Sequence, residues 1–262
     1  MEIVGYIASL LIGISLGLVG GGGSILTVPV LVYLFTISPN KAISYSLFIV
    51  GVTSLVGAYN NYRKGLVDAR TVFLFGSASI ITVFITRKFL VPLLPGVIGH
   101  IGSIVITQSL LLMVLFAILM VAASTSMIRS RKPLFESKIE VKKWIPLMYG
   151  LALGLITGFL GAGGGFLLIP ALVIFMKLPM KTAIGTSLLI IALNSLIGFL
   201  GDIGNYSIDW KFIITVSAIA TAGIFIGGYY NQKVKSETLK KRFGWFVLVM
   251  GIYIIVKEVF LK

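Results

Sequence analysis

Two glycine-rich runs are the residues of this chain best suited to bind a ligand through backbone groups. Residues 20–23 read GGGG and residues 161–165 read GAGGG, and each run interrupts a stretch of apolar residues. A break in a helix frees backbone N–H groups that hydrocarbon cannot satisfy, and glycine lets a ligand approach them closely. A short apolar segment follows each run, so the positive end of a short helix would add to these donors. The two runs therefore predict an anion site.

The composition places these runs inside a membrane protein. Of the 262 residues, 58% are apolar and only 11% are charged, and the mean hydropathy is +1.07. This balance is far outside that of soluble domains, and no polar stretch is long enough to fold a separate domain. The 34 residues from Ile3 to Thr36 would form a helix of about 51 Å, against a hydrocarbon core of about 30 Å. One straight span cannot accommodate them, so the first glycine run must break the helix.

The glycine runs also belong to an internal repeat. A shift of 141 positions superimposes residues 17–57 on residues 158–198 without a gap, with sixteen of the 41 positions identical. Shared hydrophobicity alone would give far fewer matches. The match continues faintly with Val67-Asp68 against Ile208-Asp209. The chain is therefore predicted to hold a first transmembrane repeat over 1–130, a basic linker over 131–142 and a second repeat over 143–262.

The distribution of basic residues predicts how the two repeats are oriented. If each glycine-broken stretch enters the membrane and returns, each repeat has about five helical segments. Sixteen of the 22 Lys and Arg residues then lie on one side of the membrane. Because cytoplasmic loops collect basic residues, this arrangement is favoured over an even distribution. The predicted fold is an all-α polytopic membrane protein with two inverted repeats, each holding a re-entrant or half-spanning helix pair. It lies in the cell membrane with the basic loops 129–143 and 232–243 in the cytoplasm and both termini outside.

Polar residues inside the apolar segments are few, and they recur at matching positions of the two repeats. Hydroxyl groups and one amide that face the glycine runs would suit hydrogen bonds to an oxyanion, although each of them could instead bond a neighbouring helix. Such repeats are typical of secondary transporters, with the substrate near the membrane midplane. The predicted binding residues are Gly20, Gly22, Gly23, Ser24, Ser46, Thr53, Ser54, Gly161, Gly163, Gly164, Gly165, Ser187, Asn194 and Ser195, with Pro29 and Pro170 as structural residues.

Several other functions are disfavoured by what the sequence contains. The formal net charge of +14 follows from the cytoplasmic loops, so nucleic-acid binding is not expected. With no cysteine and one histidine, neither a metal site nor a cofactor is expected. The apolar segments hold no nucleophile paired with a base, so an enzyme is not expected either. No Asp, Glu, Lys or His lies at the centre of a predicted span. Coupling to H⁺ or Na⁺ would therefore need backbone carbonyls or a titrating substrate, and a homo-oligomer stays open.

The doubled motif resembles the sulfite exporter TauE/SafE family of membrane transporters. Its pattern is G-x-x-G-G-G-G-x-x-x-x-x-P from Gly17 to Pro29 and G-x-x-G-A-G-G-G-x-x-x-x-P from Gly158 to Pro170. Each copy is followed by A-I-x-x-S-L and then by V-D or I-D before the next helix. The resemblance covers essentially the whole chain. It implies transport of small sulfur-containing oxyanions, of the sulfite, sulfonate or sulfoacetate type, across the inner or plasma membrane.

Two further classes of function are compatible with the same pattern. Re-entrant half-helices also build channels, and a channel would show flux that does not saturate with solute concentration. A non-transporting assembly factor would instead bind a partner protein and carry no solute. The residues themselves predict an anion, and only the resemblance names the class of anion.

Overall fold

The structure is a computed structural model that describes residues 2–101, 104–129, 144–161, 164–205, 207–231 and 236–260. Helices form most of the described chain. They are α1 (Glu2–Val19), a 3₁₀ segment (Gly20–Leu26), α2 (Thr27–Tyr33), α3 (Pro39–Arg63), α4 (Ala69–Leu93), α5 (Gln108–Ile128), α6 (Trp144–Leu160), α7 (Gly165–Phe175), α8 (Met180–Asp202), α9 (Trp210–Asn231) and α10 (Ser236–Phe260). A short antiparallel hairpin of β1 (Val97–Ile101) and β2 (Ile104–Thr107) precedes α5.

Five of the described helices are long and apolar enough to cross a membrane. They are α3, α4, α8 and most of α5 and α9. Shorter apolar helices flank them, as the glycine breaks predict. The protein is therefore a multi-pass helical membrane protein, and the β hairpin is the departure from the predicted all-α fold among the described residues.

The outward faces of the spanning helices carry large apolar side chains. Ile81 on α4, Ile118 on α5 and Phe225 on α9 are each more than half exposed. Such surfaces are unfavourable in water and match the hydrocarbon of a bilayer. The lipid bilayer is thus the expected partner of these faces.

The centre of the molecule is the crossing of α3 and α8. These two helices are equivalent in the repeat, and 72% of the apolar window of each is buried inside the protein. A Cβ atom placed on Gly51 of α3 would lie 2.8 Å from the side chain of Leu196 on α8. The small residue allows the two helices to approach closely at the point where the two halves meet.

The repeat also appears in how the helices begin. The Asp68 carboxylate accepts a hydrogen bond from Thr71 N at 2.9 Å at the start of α4, and that of Asp209 accepts one from Phe212 N at 3.0 Å at the start of α9. Both aspartates act as N-caps, which satisfy the first open N–H groups of a helix. The V-D and I-D pairs of the sequence motif are therefore helix starts.

Each half packs against the other through matched contacts. A Cβ on Gly13 of α1 would meet the carbonyl of Ala220 on α9, and a Cβ on Gly154 of α6 would meet that of Ser79 on α4. At the shift of 141 positions, Gly13 is equivalent to Gly154 and Ser79 is equivalent to Ala220. The same contact therefore occurs twice, with the two halves exchanged. The first helix of each half thus packs on the fourth helix of the other half, which makes the two halves one structural unit.

Two predicted boundaries differ from the structure. The basic loop predicted over 232–243 is in part helix, because α10 begins at Ser236 and therefore contains Lys241 and Arg242. The apolar residues 104–128, which the sequence pattern predicts as one segment, begin as strand β2, and helix α5 begins only at Gln108, where Thr107 accepts a hydrogen bond from Leu110 N at 3.2 Å. The predicted linker 131–142 lies outside the described residues.

Candidate functional site

The first glycine run reverses the direction of the chain. Gly20 has φ +70°, a conformation that only glycine adopts freely. A Cβ on Gly23 would lie 2.5 Å from Leu16 N, whereas residues seven apart in a straight helix are about 10 Å apart. Beyond the reversal, the ring of Phe35 packs against that of Tyr6 with their centroids 5.4 Å apart. The stretch from α1 to α2 is therefore a helical hairpin whose two ends meet.

The turn itself differs from the open break that the sequence predicts. Residues Gly20–Leu26 form a 3₁₀ helix, so the α-helix does not begin directly after the glycines, at Ser24, but at Thr27. The Ser24 hydroxyl donates to Gly21 O at 2.8 Å. Because a 3₁₀ helix uses its own N–H groups, the first run offers fewer free donors than predicted. Pro29 is buried in the first turn of α2, where its missing N–H costs little.

The second glycine run has a more open geometry. Gly161 has φ +65°, and Gly164 has φ +62° and precedes α7 as its N-cap residue. Leu167 N and Leu168 N both donate to Gly164 O at 3.1 Å. The N–H groups of Gly165 and Phe166 are then the first-turn donors that the helix itself leaves open. The predicted residue Gly163 lies outside the described residues.

Pro170 adds a further open backbone group in α7. It lies inside this helix of eleven residues, where it cannot donate to the carbonyl of Phe166. The helix is long enough for its dipole to place a partial positive charge at Gly165. Of the two runs, the second therefore has the clearer features of an anion site.

The structure brings the two glycine runs into direct contact. A Cβ on Gly21 would lie 2.3 Å from Gly165 Cα, and a Cβ on Gly165 would lie 2.2 Å from Gly21 Cα. The Cδ1 atom of Ile191 on α8 is equally close to the first of these positions, at 2.4 Å. The two halves therefore meet backbone to backbone at the runs, and in this arrangement protein atoms occupy the space that a ligand would need.

The predicted lining residues separate into two groups. The hydroxyl of Ser46 donates to Gly161 O at 3.0 Å, and that of Ser187 donates to Ile184 O of its own helix at 2.8 Å, so both are used structurally. Ser54 and Ser195 are fully buried, and their hydroxyls have no hydrogen-bond partner among the described residues. The same holds for Thr53, so hydroxyl groups remain available at the centre of α3 and α8.

The amide of Asn194 combines both situations. Its Nδ2 donates to the hydroxyl of Ser79 at 2.7 Å, whereas its Oδ1 has no partner among the described residues. In the first half, Thr53 is equivalent to Asn194, and the residue equivalent to Ser79 is Ala220. Because alanine has no hydroxyl, the Thr53 hydroxyl lacks the partner that Asn194 has. Asn194 and Ser195 lie about one helical turn from Ile191, which contacts Gly21.

A cavity of about 660 Å³ lies between the segment after α2, the start of α3 and the start of α9. Lys41 and the aromatic rings of Phe35 and Phe212 line it, and the Lys41 ammonium lies 3.3 Å from the hydroxyl of Ser207. The hydroxyl of Tyr45 in its wall accepts a hydrogen bond from Asp209 N at 2.7 Å. Tyr45 is followed on α3 by Ser46, whose hydroxyl donates to Gly161 O. The same turn of α3 therefore contacts both the cavity and the second glycine run.

A buried ion pair beside the second run is the feature of this region that the sequence alone did not reveal. The Arg87 Nε donates to Asp202 Oδ1 at 2.8 Å, its Nη2 donates to Oδ2, and each side chain is 1% exposed. The Arg87 Nη1 also donates to Gly158 O at 3.3 Å, three residues before the second run begins. The charge distribution counts Arg87 with the basic residues of the outer side of the membrane, and the structure adds that its side chain is buried in α4, which continues to Leu93. Asp202 is buried as the last residue of α8, away from the centre of the span, so the expectation of no carboxylate at the centre of a span stands as a prediction.

One signal in the sequence could have indicated this pair. Residues Phe89 to Leu93 are apolar apart from one proline, so the helix around Arg87 can continue beyond it. Asp202 is one of only eight acidic residues and directly follows the apolar segment 183–201. A buried arginine needs a carboxylate, and few are available in this chain.

Together these features define a class: a multi-pass helical membrane protein whose two halves bring broken helices into contact beside a buried charge pair. The chain belongs to the sulfite exporter TauE/SafE family of membrane transporters, whose model matches residues 6–254. The resemblance recognised in the doubled glycine and proline motif is thereby confirmed.

Curated relatives agree with this assignment to a transporter family. A probable membrane transporter protein of Xylella fastidiosa is 32% identical over 94% of this chain and 91% of its own length. The probable membrane transporter protein YdhB of Bacillus subtilis is 25% identical over 88% of this chain and 90% of its own, and MJ0441 of Methanocaldococcus jannaschii is 26% identical over 97% and 93%. No solved structure matches the chain.

Proposed function

We propose that this protein transports small sulfur-containing oxyanions, such as sulfite, sulfonates or sulfoacetate. The contact between Gly21 and Gly165 carries the proposal, because it sets the open N–H groups at the start of α7 where the two halves meet. A transporter binds its substrate between two halves that move relative to each other. The family description supplies the sulfur oxyanion class, which suits backbone N–H donors at a helix N-terminus.

The buried hydroxyls supply a second set of groups for the same substrate. Ser54, Ser195 and the Asn194 amide are buried around the α3 and α8 crossing, with unused hydrogen-bonding capacity among the described residues. An unused polar group in an apolar interior costs free energy, which a substrate oxygen would recover when the halves separate. The proposed substrate-binding set therefore keeps the glycines of both runs, including Gly20, Gly22 and Gly23, with Thr53, Ser54, Asn194 and Ser195, whereas the hydroxyls of Ser46 and Ser187 bond backbone carbonyls.

The membrane arrangement that we propose is two inverted repeats in the cell membrane. Matched packing of each half on the other supports a two-fold relation, and the helical hairpin of α1 and α2 supports a stretch that enters the membrane and returns. With about five segments in each repeat, the second repeat runs in the opposite direction. The basic connection over 129–143 then faces the cytoplasm.

Transport in proteoliposomes tests the proposed function. We expect the purified protein to move sulfite or methanesulfonate at a rate that saturates with concentration, because the substrate must bind between the two halves. Flux that rises linearly without saturation would indicate a channel instead. Flux of a neutral or cationic solute in place of every anion would contradict the proposal, and no flux of any solute would favour an assembly factor.

Cysteine labelling tests the orientation, because the chain has no native cysteine. Lys64→Cys lies after α3 and Lys211→Cys near the start of α9, and both positions are exposed. The charge distribution predicts that a membrane-impermeant maleimide added outside intact cells labels Lys211→Cys at least about tenfold more than Lys64→Cys. Equal labelling of the two after permeabilisation is the control, and the reverse preference in intact cells would refute the orientation.

A further inference from the structure

The Arg87 and Asp202 pair lies beside the second glycine run and connects three elements. Arg87 is on α4, Asp202 ends α8, and the accepting Gly158 carbonyl is in the last turn of α6. Gly158 is three residues from Gly161, which is a rise of about 5 Å along a helix. A full positive charge is thus buried close to the place where the proposed function puts the anion.

The fold does not need this pair, as the other half of the molecule shows. The positions equivalent to Arg87 and Asp202 are Gly228 and Asn61, and the equivalent of Gly158 is Gly17. A Cβ on Gly17 would lie 2.7 Å from Gly228 N, so the same close packing occurs there without a charge. Asn61 there bonds Gly57 O at 2.8 Å within its own helix. Packing at this position is satisfied by neutral residues, so the charges serve another purpose.

The surroundings of the pair contain few other ionisable groups. Lys88 is the next residue on α4, and its side chain is exposed. The contacting part of α6 presents the Gly158 carbonyl, and Tyr149 of that helix is nine residues away from it. On α8, the residues against Arg87 besides Asp202 are Gly198 and Gly201. Among the described residues, Asp202 is therefore the one carboxylate that contacts the Arg87 guanidinium.

We propose that Arg87 binds the transported oxyanion and that Asp202 couples this binding to a proton. This inference rests on the proposed function and names its coupling ion. A guanidinium forms two parallel hydrogen bonds equally well with a carboxylate and with an oxyanion, so the substrate competes with Asp202 for Arg87. Ionisable residues buried within membrane proteins commonly mark substrate and proton pathways.

The exchange conserves charge in the buried site. When a singly charged oxyanion pairs with Arg87, Asp202 loses its partner in an apolar interior and takes up one proton from the side that supplied the anion. When the anion leaves, Asp202 releases that proton to the same side as the anion and pairs with Arg87 again. No covalent bond forms or breaks. The buried site is neutral in both states, and one proton moves with each anion.

The test compares wild type with R87Q, D202N and the double variant R87Q/D202N, and K88Q is the matched control. The first measurement is the melting temperature of each purified protein with sulfite or methanesulfonate, at an ionic strength matched with chloride. In D202N the guanidinium is unpaired, so the anion should bind about tenfold more tightly and raise the melting temperature more than in wild type. R87Q and the double variant should show no anion-specific rise, and K88Q should behave as wild type.

The second measurement follows anion flux and internal pH together in proteoliposomes. Wild type and K88Q should move protons with the anion, D202N should move the anion without protons, and R87Q and R87Q/D202N should lose most of the anion flux. Wild-type anion flux in R87Q/D202N, or no anion-specific stabilisation of D202N beside a transporting wild type, would overturn this inference alone. A wild type that neither binds nor moves any of these anions would overturn the proposed function, and this inference with it.

Discussion

Adding one methyl group at the contact between the two glycine runs is expected to reduce transport about tenfold or more. In Gly165→Ala the new Cβ would lie 2.2 Å from Gly21 Cα, and in Gly21→Ala it would lie 2.3 Å from Gly165 Cα. Backbone atoms cannot move aside as a flexible side chain can, so the two halves must shift apart. Overpacking of this kind costs about 1–3 kcal/mol, and about 1.4 kcal/mol corresponds to a tenfold change.

The effect should fall on the equilibrium between packed and separated halves. The clash raises the free energy of the packed arrangement and leaves an arrangement with the runs apart unaffected, so the population of the packed state decreases. A cycle that must pass through both states is then slowed. The measurement is the initial rate of sulfite uptake in proteoliposomes for both variants, at equal amounts of inserted protein.

A matched control exists in α4. A Cβ on Gly76 would meet its nearest neighbour, the side chain of Ile190, at 3.6 Å, which is an ordinary contact. Gly76→Ala should therefore keep the transport rate within about twofold of wild type, since added burial there needs no shift. Unchanged rates in both Gly21→Ala and Gly165→Ala would show that the contact of the runs plays no part in the cycle.

Neutralising one member of the buried ion pair is expected to destabilise the protein strongly, whereas neutralising both is not. Breaking a buried pair leaves an uncompensated charge and typically costs about 3–5 kcal/mol, while replacing both partners is often close to neutral. R87Q and D202N should each lower the melting temperature in anion-free buffer. R87Q/D202N should recover most of the loss, because Gln and Asn can still share a hydrogen bond.

The position of the pair explains why this effect should be large. Arg87 and Asp202 are each 1% exposed, so water cannot solvate whichever charge is left alone. K88Q removes an equal charge from an exposed neighbour and should change the melting temperature little. If all three single variants have similar melting temperatures, the pair does not stabilise the packing of α4 on α8.

Much of the architecture could be predicted from the residues because its signals are local. The length and apolarity of each segment are set by the hydrocarbon thickness. A run of glycines marks a break in a helix, because glycine readily adopts a positive φ. Gly20 and Gly161 have nearly the same φ, and Asp68 and Asp209 both cap a helix, so the two halves repeat local geometry as well as sequence. The hairpin β1–β2 was missed because a short apolar run does not distinguish a strand from a helix.

The differences between the two runs could not be predicted in the same way. The two runs differ at only two aligned positions, where the first has Ser24 and the second has Ala162 in place of glycine. The first run nevertheless continues as a 3₁₀ helix, whereas the second leads into the N-terminus of an α-helix at Gly165. Glycine has little intrinsic preference, so the contacts around each run select its conformation. Gly20 packs on Ile184 and Gly161 packs on Ile43, which are matched contacts with different consequences.

The sequence alone determined that this chain spans a membrane, that it is a duplicated unit, and where its helices break, because hydrophobicity and backbone preference act within a few residues. The tertiary structure decided which groups meet. Gly21 faces Gly165, and Arg87 pairs with Asp202 across 115 positions of the chain. Such contacts depend on how distant helices pack, and in hydrocarbon a buried charge is stable only beside the partner that this packing brings to it.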